Sequence, residues 1–64
     1  MKRRDLLKRL EKLAKEQGAT FSTSEGGRHT IVHIGDYKTV VPRHREINEM
    51  LARAIIKEAQ NHGN

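Results

Sequence analysis

The side chains in this sequence that could carry chemistry are few. It has four histidines, His29, His33, His44 and His62, and no cysteine. Without cysteine there are no disulfides, no thiolate nucleophile and no cysteine-based zinc site. The histidines do not form an i, i+4 helical pair beside a carboxylate, the arrangement a catalytic metal would need, so no metal or other cofactor is expected. What remains is proton transfer. Imidazole titrates near ~6.5 when unperturbed, so one histidine can accept a proton at cellular pH and return it in a later step. His29 and His33 lie in one β-branched run, four residues apart on the same face of a strand. At ~3.3 Å rise per residue they stand roughly 13 Å apart, too far to serve one reacting group together. His33 therefore reads as a solvent-facing residue or an outlying contact.

The charge around these histidines points to a polyanion. Thirteen Lys and Arg stand against eight Asp and Glu, a formal net charge of +5 in 64 residues. Nucleic acid is the commonest partner for such a field, with an acidic protein as the other fitting class. No run of ~20 apolar residues exists to span a bilayer. Lys2, Arg3 and Arg4 follow Met1, but Asp5 and an amphipathic segment come next, which does not read as a signal peptide. The chain is expected to be cytoplasmic.

The elements that must position these groups follow from periodicity. Leu6, Leu7, Leu10, Leu13 and Ala14 recur at helical spacing, which predicts a helix over about Arg3 to Gln17 stopped by Gly18. Ala19 to Thr23 reads as a short strand, and Ser24 to Arg28, with Gly26 and Gly27, as a turn or loop. His29 to Ile34 and Tyr37 to Val41 form two more strands. Gly35-Asp36 between them is the Gly-first signature of a type II′ hairpin. That turn pairs Ile34 with Tyr37, Val32 with Thr39 and His29 with Pro42; Pro42, lacking an N–H, should end its strand. Asn48 is the expected N-cap of a second helix whose buried stripe is Leu51, Ala54, Ile55 and Ala59, widened by Ile56. Residues 61–64 should fray.

The sum is one α+β domain over 1–64, in the order α-β-β-β-α. Its three-stranded antiparallel sheet should carry both helices on one face. Alternation puts Thr30, Val32, Ile34, Tyr37, Thr39 and Val41 toward the helices, and His29, Ile31, His33, Lys38 and Val40 on the open face. A domain of this size buries only ~60% of the surface of its unfolded chain, so chemistry must sit on an open face or in a shallow groove.

The arrangement resembles the HicA toxin family. An N-terminal helix is followed by Gly26-Gly27-Arg28-His29 leading into a strand, a short hairpin, and then Val41-Pro42-Arg43-His44 before a closing helix. The likeness runs from about Lys2 to Ala59; each motif is short, and their order carries the weight. It implies a double-stranded-RNA-binding-domain-like fold and cleavage of messenger RNA without a required metal. It also implies neutralisation by a cognate HicB antitoxin that covers the active site. The family's catalytic histidine maps onto His29. Where the family often has Ser or Asn just before it, this chain has Arg28, which either removes a local hydrogen bond or supplies a phosphate contact.

RNA would bring its own nucleophile to that site. A base that deprotonates the 2′-hydroxyl starts attack on the adjacent phosphate and expels the 5′-oxygen, leaving a 2′,3′-cyclic phosphate. His29 is the candidate for this step or for protonating the leaving oxygen. Arg43 and His44, which the register brings toward His29, are candidates for binding phosphate and stabilising its charge; the alternative is a structural turn before the second helix. Lys8, Lys12 and Lys15 form a stripe on the first helix, readable as phosphate contacts or as a solvated face with Glu11 and Glu16 interspersed. Lys2, Arg3 and Arg4 crowd that helix's start, where each positive charge opposes the macrodipole by ~0.3–1 kcal/mol, a hint of phosphate binding. With only Phe21 and Tyr37 for stacking, recognition should rest on backbone shape and charge. A non-catalytic RNA-binding module of the same fold would share all of these features except the histidine's work.

Overall fold

The computed structural model describes residues 1–62. Helix α1 (Arg3–Glu16) is followed by strands β1 (Phe21–Gly26), β2 (His29–Ile34) and β3 (Tyr37–Pro42) and by helix α2 (Glu49–His62). The sheet is antiparallel in the order β1-β2-β3. The principal extents are 28 × 23 × 15 Å. Two layers fill the short dimension, which leaves concavities only at the surface.

One hydrophobic layer holds the two helices to the sheet. Leu6, Leu10, Leu13 and Ala14 of α1 meet Val32, Ile34 and Val41 of the sheet, with Ala52, Ile55 and Ala59 of α2 and Ile47 ahead of it. Full burial of a Leu or Ile side chain contributes about 1.5–3 kcal/mol, so this one cluster supplies most of the stability. The sheet faces divide as alternation requires: Thr30, Val32, Ile34 and Val41 are buried, while His29, Lys38 and Val40 are exposed.

The β2–β3 register is the one Gly35-Asp36 dictates, with His29 opposite Pro42, Val32 opposite Thr39 and Ile34 opposite Tyr37. Gly35 has φ +58 and Asp36 does not have positive φ, the sign pattern of a Gly-first hairpin turn. Pro42 is the last residue of β3, as its missing N–H demands.

Two expectations need correction. First, β1 runs from Phe21 to Gly26, not from Ala19 to Thr23. The expected loop shrinks to Gly27-Arg28, a second Gly-first turn with Gly27 at φ +60. A two-residue turn lets Ser24, Glu25 and Gly26 pair all the way down with Ile31, Thr30 and His29. Ladder hydrogen bonding thus overrides the loop-like composition of Ser-Glu-Gly.

Second, α2 is rolled by about one residue. Asn48 caps it as expected, its Oδ1 accepting from the N–H groups of Met50 (2.9 Å) and Leu51 (3.2 Å). The buried stripe, however, is Ala52, Ile55 and Ala59, while Leu51 is 44% exposed and Ala54 is exposed. α2 packs on α1 as well as on β3, and alanines at that contact let the two helix backbones approach closely. Asn61 and His62 continue α2, and the His62 ring stacks on Tyr37 at a centroid distance of 4.5 Å. The remainder of the expected tail, 63–64, lies outside the described residues.

A long-range clamp unforeseen from local pattern closes the domain. Lys2 forms an isolated antiparallel bridge with Glu46. The Arg3 N–H donates to the Arg45 carbonyl (3.0 Å) and the Ile47 N–H to the Met1 carbonyl (2.7 Å). The N-terminal ammonium donates to the Ile47 carbonyl (3.0 Å) and forms ion pairs with Glu49 (3.3 Å) and Glu46 (3.5 Å). The segment between β3 and α2 is thereby laced to the start of α1. Among the described residues no helix is long and apolar enough to cross a membrane.

Candidate active site

His29 opens β2 and faces away from the helices. Its row across the sheet is Gly26, His29 and Pro42. Neither neighbour presents a polar side chain; glycine presents none at all, and the Ile31 Cδ1 leans over Gly26, 3.6 Å from where a Cβ would stand. The two turns at this end of the sheet complete a concavity. Gly27 and Arg28 come from the β1–β2 turn, and Pro42, Arg43 and His44 from the chain leaving β3; with His29 they line a cleft of about 620 Å³. The structure therefore gathers four of the sequence-derived site residues, His29, Arg28, Arg43 and His44, around one space. Lys8, Lys12 and Lys15 stay exposed on α1 and line neither this cleft nor the basic cavity beside it. His33 is half-buried, with Nε2 at 3.2 Å from the Ser24 hydroxyl, and is not part of the cleft.

Beneath the cleft runs a polar relay that the sequence reading missed. Thr30, buried on the helix-facing side, accepts a hydrogen bond from the Arg3 guanidinium and donates to Glu25 Oε1 at 3.0 Å. The same Glu25 oxygen takes an ion pair from Arg43 at 2.6 Å. The Thr30 hydrogen bond is the largest influence on Glu25. With the bond and charge of Arg43 and the charge of Arg3, it outweighs partial desolvation and holds the carboxyl below the ordinary glutamate range. Glu25 is thus a fixed anion that tethers Arg43 at the cleft edge. A guanidinium has five donors, so one tethered to a carboxylate still offers others.

The signal that could have revealed this relay lay in Gly27-Arg28. Read as a two-residue turn, it fixes the β1–β2 register, places Glu25 directly opposite Thr30, and puts both beside the residue row that ends in Val41. Arg45 is a second omission: its neighbourhood with Lys2 depends on the clamp between the chain start and residues 45–47, contacts more than forty residues apart in sequence.

Chemically, the cleft offers one exposed imidazole on a rigid strand end, a second imidazole from His44, and two guanidinium groups. That set can bind an anion and move protons beside it. Among the described residues no three of His, Asp and Glu gather as a cation-ligand group.

No curated protein and no solved structure matches this chain at a significant level. The family model described as HicA toxin of bacterial toxin–antitoxin matches residues 7–60, which takes in both hairpins, the cleft residues and most of both helices. With that match over most of its length, the chain belongs to the HicA toxin family, and a cognate antitoxin is its implied partner.

Proposed function

We propose that this toxin is a metal-independent endoribonuclease that cuts messenger RNA by using the substrate's own 2′-hydroxyl as nucleophile, with His29 as the proton-transferring residue. The observation that carries this reading is an exposed imidazole at the start of β2, in a cleft shared with Arg28, Arg43 and His44, in a chain of the HicA toxin family.

In the proposed step His29 takes the 2′-hydroxyl proton as the 2′-oxygen attacks the adjacent phosphorus. The bond from phosphorus to the 5′-oxygen breaks, and that oxygen leaves with a proton supplied by His44 or by water. The products are a 2′,3′-cyclic phosphate and a 5′-hydroxyl. Negative charge grows on the non-bridging oxygens during attack, and Arg43, held in place by Glu25, is positioned to offset it; Arg28 supplies a phosphate contact from the turn. Because the reaction needs a 2′-hydroxyl, DNA of the same sequence would remain intact. The antitoxin is proposed to cover this cleft and to meet its positive field with acidic groups.

Replacing His29 by Ala tests the assignment. His29→Ala should abolish RNA cleavage and growth inhibition while leaving RNA affinity within about twofold, since the removed ring is one small part of a charge-driven interface. Growth arrest undiminished by the change would contradict the proposal. Binding retained by a wild-type chain that never cuts RNA would leave a binding module in place of an enzyme.

A further inference from the structure

A second concavity adjoins the His29 cleft. It measures about 310 Å³ and its walls are all cationic residues: Lys2, Arg3 and Arg4 from the start of α1, with Arg43 and Arg45 from the segment after β3. Arg43 lines this cavity and the His29 cleft alike, so the two spaces share a wall.

Folding alone does not account for this grouping. The contacts that bring Lys2, Arg3 and Arg4 beside Arg45 run through backbone atoms, Lys2 bridging Glu46 as a strand pair and the Arg3 N–H donating to the Arg45 carbonyl, while Arg43 is held through Glu25. The side chains of Lys2, Arg4 and Arg45 are exposed and could be any polar type without disturbing those bonds. Three of the cations also stand at an α-helix N-terminus, where positive charge opposes the dipole. Glu25 is the carboxylate tied into the group, through Arg43 directly and through Thr30 to Arg3. In addition, Arg3 Nε is buried without a hydrogen-bond partner among the described residues. Five positive charges around a space of a few hundred cubic ångströms repel one another and are relieved by an anion with several acceptor oxygens. Carboxylate and phosphate both fit guanidinium forks. The shared Arg43 favours phosphate, since one strand with its scissile phosphate beside His29 would run directly into the neighbouring cavity.

Building on the ribonuclease reading above, we propose that Lys2, Arg3, Arg4, Arg43 and Arg45 form a second phosphate subsite. It holds a non-scissile phosphate of the same RNA strand and sets which phosphate lies at His29. The subsite explains how a domain with almost no aromatic surface grips a single strand: two neighbouring backbone phosphates fix its position and direction, and Arg43 couples them.

The test uses the full chain and a short single-stranded 2′-O-methyl RNA, which lacks the nucleophile and stays intact while bound. The dependence of log affinity on log salt is measured for wild type, for Lys2→Gln/Arg4→Gln, and for Arg53→Gln/Lys57→Gln, which removes equal charge from exposed positions on α2. Loss of one phosphate contact flattens the slope by about 0.7 for single strands. The Lys2/Arg4 variant is expected to show that flattening and the α2 variant is not. A methylphosphonate is then walked along the RNA. One non-scissile position should weaken wild-type binding and have a smaller effect in Lys2→Gln/Arg4→Gln, as coupled groups do. Equal slopes for wild type and the Lys2/Arg4 variant, an equal change from the α2 pair, or a methylphosphonate penalty as large in the Lys2/Arg4 variant as in wild type would each overturn the subsite. So would a variant that loses only antitoxin affinity, which would assign the cavity to an acidic protein surface. Failure of the ribonuclease reading is visible separately, in whether ordinary RNA is cut and whether His29→Ala stops it.

Discussion

Glu25 and Arg43 show how single residues build this site. Arg43 is 44% exposed and would sample many rotamers unaided; the 2.6 Å ion pair to Glu25 confines it to the cleft edge. Thr30 in turn confines Glu25. Exposed ion pairs contribute little to stability as a rule, and here the value of the pair lies in position. Glu25→Gln keeps the shape and removes the charge. It should lower kcat several-fold while Tm changes little, because a preorganised guanidinium matters most as charge develops in the transition state. Rates equal to wild type would show that Arg43 needs no tether. The carboxyl's folded pKa lies below its ordinary value of 4.5. Its contribution to stability is therefore complete above that value and is lost as pH falls through the depressed one. A Tm-against-pH curve should lose its acid-side dependence in part in Glu25→Gln, and an unchanged curve would contradict the relay.

At the scale of elements, the two Gly-first turns decide the architecture of the end that holds His29. Gly35-Asp36 fixes β2 against β3 and so places Pro42, and with it Arg43 and His44, across from His29. Gly27-Arg28 fixes β1 against β2 and so places Glu25 across from Thr30. The corrected face of α2 is testable by mutation. Ile55→Ala removes a buried side chain from the hydrophobic core and should cost about 2–5 kcal/mol, whereas Leu51→Ser on the outer side should stay within about 0.5 kcal/mol. Chemical denaturation reads both; a larger cost at Leu51 than at Ile55 would return the helix to the orientation periodicity suggested.

Those same elements show what was legible in the sequence. The β2–β3 register and the exposed placement of His29 were readable because Gly35-Asp36 lies between two unmistakable β-branched runs. The end of β1 was not, because Ser24 and Glu25 have turn-like composition and gain strand structure only by pairing with β2. The rolled face of α2 was hidden because Leu51, Ala54, Ile55 and Ala59 and the true stripe of Ala52, Ile55 and Ala59 both fit helical spacing. The choice between them rests on how closely α1 approaches, a tertiary fact. The cluster of Lys2, Arg4 and Arg45 was half legible: the crowding at the helix start was visible, its partner segment was not.

Over the whole molecule, a thin two-layer body with a net charge of +5 gathers much of that charge at one end of the sheet. The chain start, the β1–β2 turn and the segment after β3 converge there, bringing Lys2, Arg3, Arg4, Arg28, Arg43 and Arg45 around two adjoining cavities. An antitoxin that covers this end must exclude RNA from it. Saturating antitoxin should therefore displace a bound RNA oligonucleotide, and by linkage saturating RNA should weaken antitoxin binding by the same factor. A ternary complex in which RNA affinity is unchanged would place the antitoxin on another surface and contradict the proposed covering of the cleft.

The proposed ribonuclease activity depends on the His29 imidazole moving the proton during attack by the 2′-oxygen. Single-turnover cleavage of a defined RNA, with enzyme in excess of the measured Kd and the product termini identified by mass, tests it most directly. The expected result is a 2′,3′-cyclic phosphate and a 5′-hydroxyl from wild type, and a rate lowered by about 10²–10⁴-fold in His29→Ala at equal RNA occupancy. Products ending in a 3′-hydroxyl, or a His29→Ala rate equal to wild type, would contradict it.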